Sequence, residues 1–274
     1  MEPFGHRLLV ALEERGPLCV GVDPHPGLLQ AWGLEDNADG LRTFAMTVVE
    51  ALGEQVAVLK PQSAFFERHG SAGVAVLEQV VLAGRSAGAL VLLDVKRGDI
   101  GSTMQGYADA YLAPGSPLCA DAITVSPYLG FGSLDPVLDT AAAHAAGVFV
   151  LALTSNPEGA EVQQARTGPR TVAGAVLAAV RRRNAGAEPV GSVGVVVGAN
   201  LEHTDEDLDV HGPILAPGFG AQGGTGADLR RLFAAVREKV LPSTSRGVLA
   251  AGPDPASLRA AAARAVEEAA AALR

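Results

Sequence analysis

The segment Leu-Leu-Asp94-Val-Lys96-Arg97-Gly98-Asp99-Ile100 sets a carboxylate and an ammonium two residues apart, with a second carboxylate three residues further on. The apolar run that leads into it, Leu90 to Val95, reads as a buried strand. Residues i and i+2 of a strand share a face, so Asp94 and Lys96 project together, one step beyond Leu92. Charges at the rim of an apolar wall are costly unless paired. On its own the pair is either a structural cap or an acid–base device. Lys60, at the end of Val-Leu-Lys60-Pro-Gln, brings a second cation towards the same place, and Asp23 ends a third apolar run, Gly-Val-Asp23-Pro-His. In an alternating network of lysines and carboxylates each charge is neutralised by its neighbours. Such a network keeps Lys96 protonated, as a ready acid.

A second cluster lies late in the chain. Gly218, Gly220 and Gly223 form a GxGxxG pattern. A dinucleotide fingerprint should follow the first strand of its unit and precede an acidic strand end by about 20 residues, and neither holds here. A loop this late in an α/β chain suits phosphate, bound through backbone N–H groups. Gln222 inside the loop adds a side-chain N–H, and Arg246, after the last apolar run, adds a two-pronged donor. Thr154-Ser155-Asn156-Pro157 either reads a polar ring or begins a turn. The six histidines show no metal-ligand spacing, so no metal centre is expected. His25 is expected to order its own loop.

Positioning these groups requires strands that end together. Apolar runs recur at Leu18–Val22, Val56–Leu59, Leu90–Val95, Ala122–Val125, Val148–Leu153, Val193–Val197, Pro213–Leu215 and Val240–Ser245. They are near-continuous, as for parallel strands covered on both faces. Helical patterns intervene at Leu41–Leu52, Ser71–Ala87, Leu134–Ala146, Thr171–Asn184 and Asp228–Lys239, several followed by glycine. Eight strands, each followed by a helix, predict a (β/α)8 barrel forming one domain over residues 1–274. Barrel chemistry gathers at the C-terminal ends of the strands, where all the charges above fall. The acidic stretch Ala199–Gly212 reads as a solvated loop.

Composition agrees and excludes. With 48% hydrophobic and 19% charged residues the chain can bury a large core and is not disordered. Twenty-one basic against thirty acidic residues give −9, which argues against nucleic acid as a partner but leaves room for a small anionic substrate met by a local cation cluster. Cys19 and Cys119 make no CxxC motif and are read as buried free thiols, in keeping with a reducing cytosol. Glu13, Glu14 and Arg15 interrupt the place where a signal peptide needs an apolar run, and no 18-residue apolar stretch occurs. The expectation is a cytoplasmic protein with no membrane partner.

The motif Asp94-Val-Lys96-Arg97-Gly98-Asp99-Ile100-Gly-Ser-Thr103 resembles that of the orotidine 5′-phosphate decarboxylase family. So do Val22-Asp23, Lys60-Pro61-Gln62, Thr154-Ser155-Asn156-Pro157, Pro217 to Gly224 and Arg246, in that order. The Lys-Arg-Gly-Asp-Ile-Gly-Ser-Thr form and Ser126-Pro127-Tyr128-Leu129-Gly130 are similar to a longer bacterial subgroup common in actinobacteria. The strand-five motif departs from the Met-Ser of many relatives. The resemblance implies a homodimeric barrel that converts orotidine 5′-monophosphate to UMP without metal or organic cofactor. It implies that Lys60, Asp94 and Lys96 act from one subunit while Asp99, Ile100 and Thr103 enter the partner's site. Asp23 would bind the ribose, Ser155 the pyrimidine, and Gln222 and Arg246 the phosphate. The rival is a Mg²⁺-dependent sugar-phosphate decarboxylase or aldolase of the same superfamily, which shares the Asp-x-Lys-x-x-Asp spacing. A catalytically silent phosphate-binding barrel is the reading from outside enzymology.

Overall fold

A computed structural model describes residues 1–221 and 223–274. The eight expected strands are present: β1 (Cys19–Val22), β2 (Val58–Pro61), β3 (Leu90–Arg97), β4 (Ala122–Val125), β5 (Gly147–Leu153), β6 (Val193–Val197), β7 (Ile214–Pro217) and β8 (Val240–Thr244). They pair in parallel in chain order, and β8 returns to β1 through Cys19 opposite Ser243 and Val20 opposite Thr244, closing the barrel. The fold is the predicted (β/α)8 barrel.

Alternation along the strands divides the core in two. Cys19, Val58, Leu90, Leu92, Ala122, Phe149, Val196, Leu215 and Leu241 fill the barrel interior. The residues between them, such as Val20, Leu59, Val91, Leu93 and Ile123, pack outward against the helices. Two residues on from that interior layer the inward positions turn polar: Lys60 on β2, Asp94 on β3, Thr124 on β4 and Ser243 on β8 are all buried. A helix not expected from the sequence, Phe4–Arg15, closes the opposite end. Its Phe4 meets Phe149 edge to face at 6.0 Å and belongs to the same interior cluster.

The outer layer departs from the expected pattern in several places. Asn37 caps helix Ala38–Leu52 by accepting from the N–H groups of Asp39 and Gly40, slightly ahead of the predicted start. The predicted helix 134–146 is a 3₁₀ turn, Phe131–Leu134, followed by helix Asp135–Ala143. The predicted helix 228–239 stops at Leu232, and only a 3₁₀ turn, Arg237–Lys239, follows. Helix Gly101–Leu112, between β3 and β4, was not among the expected helices, although Met104, Tyr107, Ala108, Tyr111 and Leu112 recur at helical spacing.

Among the described residues no helix joins β6 to β7, so one of the eight expected strand–helix units lacks its helix. The acidic loop there is not simply solvated. It buries Leu208 and Val210 against the barrel, Asp207 pairs with Arg181 at 2.9 Å, and Asp209 pairs with Lys239 at 2.9 Å. Its carboxylates anchor apolar residues where a helix would otherwise cover the strands. Cys119 is half-buried rather than buried, while Cys19 is fully enclosed. Among the described residues no helix is long and apolar enough to cross a membrane.

Candidate active site

The C-terminal ends of β2, β3 and β4 carry a compact charge cluster. Asp94 is its centre. Its Oδ2 accepts from Lys60 Nζ at 3.0 Å, and its Oδ1 from Lys96 Nζ at 2.5 Å. The hydroxyl of Thr124 donates to the same Oδ1 at 2.8 Å and accepts the backbone N–H of Lys96 at 3.0 Å. The β3–β4 register shifts between Leu93 and Arg97, and Lys96 sits at φ 44°, in the left-handed region. A non-glycine residue there costs about 1–3 kcal/mol and persists only where its surroundings hold it. Lys60 and Asp94 are buried, while the Lys96 side chain is 46% exposed.

Burial alone would raise the Asp94 carboxyl. The ammonium groups of Lys60 and Lys96, with the hydrogen bonds from Lys96 and Thr124, outweigh it and hold the carboxyl well below the usual carboxylate range. Burial pulls Lys60 down, but the carboxylates of Asp94 and then Asp23 outweigh that and push it up. Burial pushes the Cys19 thiol up to about 12, so it sits beneath this cluster as an uncharged group.

The cluster lies in the middle of a cleft with two lobes that share Asp94, Lys96 and Pro217. One lobe, about 400 Å³, is lined by Asp23, Lys60, Phe65, Ser245 and Arg246. The other, about 240 Å³, is more apolar and is lined by Thr124, Leu151, Ser155 and Val196. Together they suit a ligand with an anionic end and a less polar end. Asp23 follows β1 directly, and its Oδ2 accepts from Ser245 Oγ at 2.5 Å. Its Oδ1 is buried and, among the described residues, receives no hydrogen bond.

The glycine pattern after β7 is a tight turn. Gly218, Gly220 and Gly223 all have positive φ, at 94°, 79° and 98°. The N–H groups of Gly220, Gly223 and Gly224 bond to Gly224, Gly220 and Gly218 carbonyls within the turn. These three amides are therefore engaged, which narrows the expected backbone contribution to phosphate binding. Gln222 lies outside the described residues. His25 behaves as expected, its Nδ1 accepting from Gly27 N–H at the start of helix Pro26–Ala31.

Asp99, Ile100 and Thr103 do not line either lobe. Asp99 Oδ1 accepts from the Ile100 N–H at 2.8 Å, and Ile100 is 61% exposed. Thr103 is exposed in the first turn of helix Gly101–Leu112. The loop is fixed at its base. Arg97 reaches Glu67 at 2.5 Å and lies 5.5 Å over the Tyr107 ring. A Cβ on Gly98 would sit 2.4 Å from the Ser126 carbonyl oxygen. Tyr128 and Leu129, 77% and 53% exposed, follow β4 and add to the exposed apolar surface at this end of the barrel.

A wider cleft of about 730 Å³ lies at the opposite end of the barrel, but its Arg7 and Arg85 are both turned onto Asp121, at 2.7 and 3.6 Å. Among the described residues no group of three His, Cys, Asp or Glu side chains is placed to hold a metal ion.

Residues 16–262 match the family model described as orotidine 5′-phosphate decarboxylase / HUMPS family. The chain belongs to this family. Among its relatives, the orotidine 5′-phosphate decarboxylase of Salinispora arenicola is 65% identical over 275 residues, covering 100% of this chain and 99% of the relative. That of a Nocardioides species is 66% identical over 253 residues, 91% of this chain and 92% of the relative. The solved structure of Leishmania donovani OMP decarboxylase is 31% identical, with TM-score 0.77 and 99% of each chain covered. The actinobacterial relatives agree with the subgroup read from the Lys-Arg-Gly-Asp-Ile-Gly-Ser-Thr motif.

Against that decarboxylase motif, the structure brings Asp23, Lys60, Asp94, Lys96, Ser155 and Arg246 to one cleft. Sequence reading missed Thr124 and Ser245. Thr124 sits in Ala-Ile-Thr-Val, which reads as an ordinary buried strand. Its only sequence signal is a hydroxyl at an inward position near a strand's end. Ser245, next to Arg246, ends the β8 run and looks like a turn residue.

Proposed function

We propose that the protein decarboxylates orotidine 5′-monophosphate to UMP and CO₂, the last step of de novo pyrimidine synthesis, in the cytoplasm and as a homodimer. One observation carries the reading. The Lys60–Asp94–Lys96 chain stands midway along a cleft with a basic residue at one end and an apolar pocket at the other.

Arg246 binds the phosphate, with Gln222 as the second donor the motif offers, and the pyrimidine enters the apolar lobe beside Ser155. The unpartnered Asp23 Oδ1 is an acceptor for a ribose hydroxyl. The bond between C6 and the carboxylate carbon breaks, CO₂ leaves, and the electron pair stays on C6. The Lys96 ammonium stabilises that pair and then transfers a proton to C6, giving UMP; the lysine is reprotonated from solvent. Asp94 and Lys60 keep Lys96 aimed and compensated. The phosphate, remote from the reacting atoms, supplies binding energy that assembles the site. No metal or organic cofactor takes part in these steps.

Asp99, Ile100 and Thr103 of one subunit enter the cleft of its partner. Their outward placement in a single chain supports this, as does the exposed surface of Ile100, Tyr128 and Leu129 beside them. Asp99 then extends the alternation of charges past Lys96.

The test is an ultraviolet assay of orotidine 5′-monophosphate in EDTA. The expected result is conversion to UMP at a rate the chelator does not change. Absence of turnover overturns the reading. Turnover of a sugar phosphate that requires added Mg²⁺ assigns the chain to the rival chemistry.

A further inference from the structure

We propose that Thr124 is a positioning residue for this reaction, its hydroxyl holding Lys96 directly at the backbone and, through Asp94 Oδ1, at the ammonium. The inference rests on the decarboxylase reading and deepens it.

Thr124 is buried on the inward face of β4, two residues beyond Ala122 of the barrel interior. A backbone N–H can only donate, so Oγ must accept from Lys96 N, 3.0 Å away. That leaves the single hydroxyl proton for Asp94 Oδ1, at 2.8 Å. The same Oδ1 receives Lys96 Nζ at 2.5 Å. One side chain therefore touches the amide of Lys96 directly and its ammonium through a shared oxygen.

Lys96 needs such a hold. Its φ of 44° lies in a region that L side chains rarely adopt, and the β3–β4 ladder slips across it. Its N–H is satisfied by a side chain instead of a strand carbonyl. The groups around Asp94 divide the work: Lys60, from β2, holds Oδ2, while Lys96 and Thr124 share Oδ1. Removing the hydroxyl frees only the Lys96 side of the carboxylate and strips the strained amide of its acceptor. Lys60 cannot compensate, because it is bound to the other oxygen.

Thr124→Val keeps the shape and deletes the hydroxyl, whereas Thr124→Ser keeps the hydroxyl and deletes the methyl. In the full-length enzyme with orotidine 5′-monophosphate, Thr124→Val should lower kcat at least about tenfold while KM changes less than about threefold. Thr124→Ser should return kcat to within about threefold of wild type. The second readout is the ¹³Cε resonance of Lys96 in lysine-labelled protein, assigned by its absence from Lys96→Ala. It should move in the Val variant and stay in the Ser variant. Wild-type kcat in Thr124→Val, or equal losses in both variants, overturns the inference. If the unaltered protein does not turn over this substrate, the decarboxylase reading fails instead. The Lys96 resonance then still decides, and an unmoved signal in Thr124→Val rules out the positioning role.

Discussion

Asp94 is buried, yet it stays ionised because both its oxygens are claimed by cations. Its folded carboxyl is held below the ordinary range by Lys60 and Lys96 against the opposing effect of burial. A depressed carboxyl stabilises the fold above its unfolded value, about 3.9, and that contribution is lost as pH falls through the folded value. Lys60 has the opposite sign: raised by Asp94, it contributes below its unfolded value and loses that contribution only as pH rises through the folded one. Urea unfolding of wild type and Asp94→Asn should therefore show a gap that is constant from pH 5 to 8, by the reference carboxyl value, and narrows below about pH 4. An unchanged gap at pH 3, on that scale, would show that Asp94 is not held ionised by its lysines. Arg246 lines the far end of the cleft. Arg246→Ala should reduce kcat/KM for the 5′-phosphate by about 3 kcal/mol, through loss of a charge-assisted contact. Orotidine, which lacks the phosphate, should scarcely respond. Equal losses on the two substrates would make Arg246 a structural residue.

The end of β3 is the element that organises the site. It delivers Asp94 and Lys96 inward, then twists so that Arg97 points out to Glu67 and Tyr107. Gly98 permits this by passing close to the Ser126 carbonyl, where a Cβ would come within 2.4 Å. Gly98→Ala should therefore cost about 1–3 kcal/mol of stability by overpacking and displace the loop bearing Asp99. Its melting temperature and its turnover should both fall; a variant with wild-type values for each would show that the strand end is not tightly set.

Strands buried on both faces leave continuous apolar runs, so all eight were legible, and the i, i+2 rule placed Asp94 beside Lys96. Helix Phe4–Arg15 was overlooked, although Phe4, Leu8, Ala11 and Leu12 recur at helical spacing and form the face that closes the barrel. The missing helix between β6 and β7 was hidden. Leu208 and Val210 cover the strands there from an irregular loop held by Asp207 and Asp209, which no periodicity announces. The role of Thr124 depends on a register slip, a property of the paired strands and not of either alone. Asp99 was legible as a charge in a motif, but nothing in its spacing says which subunit it serves.

In one chain Asp99 bonds to its own Ile100 N–H and stands outside the cleft that contains Lys96. In the proposed homodimer each Asp99 enters the opposite cleft, and the two-fold symmetry makes the exchange mutual, so each active site draws on both chains. Lys96→Ala and Asp99→Ala should each be nearly inactive alone. When the two are mixed under conditions where subunits exchange, a mixed dimer holds one site with both defects and one with neither. The intact site takes Lys96 from the Asp99→Ala chain and Asp99 from the Lys96→Ala chain. Random mixing at equal concentration makes about half of the dimers mixed, each with one working site of two, so activity should recover to roughly a quarter of wild type. Exchange is verified separately by mass-tagged subunits. If mixed dimers form and no activity returns, Asp99 serves its own subunit, and the loop that carries it must fold back over Lys96 instead of crossing the interface.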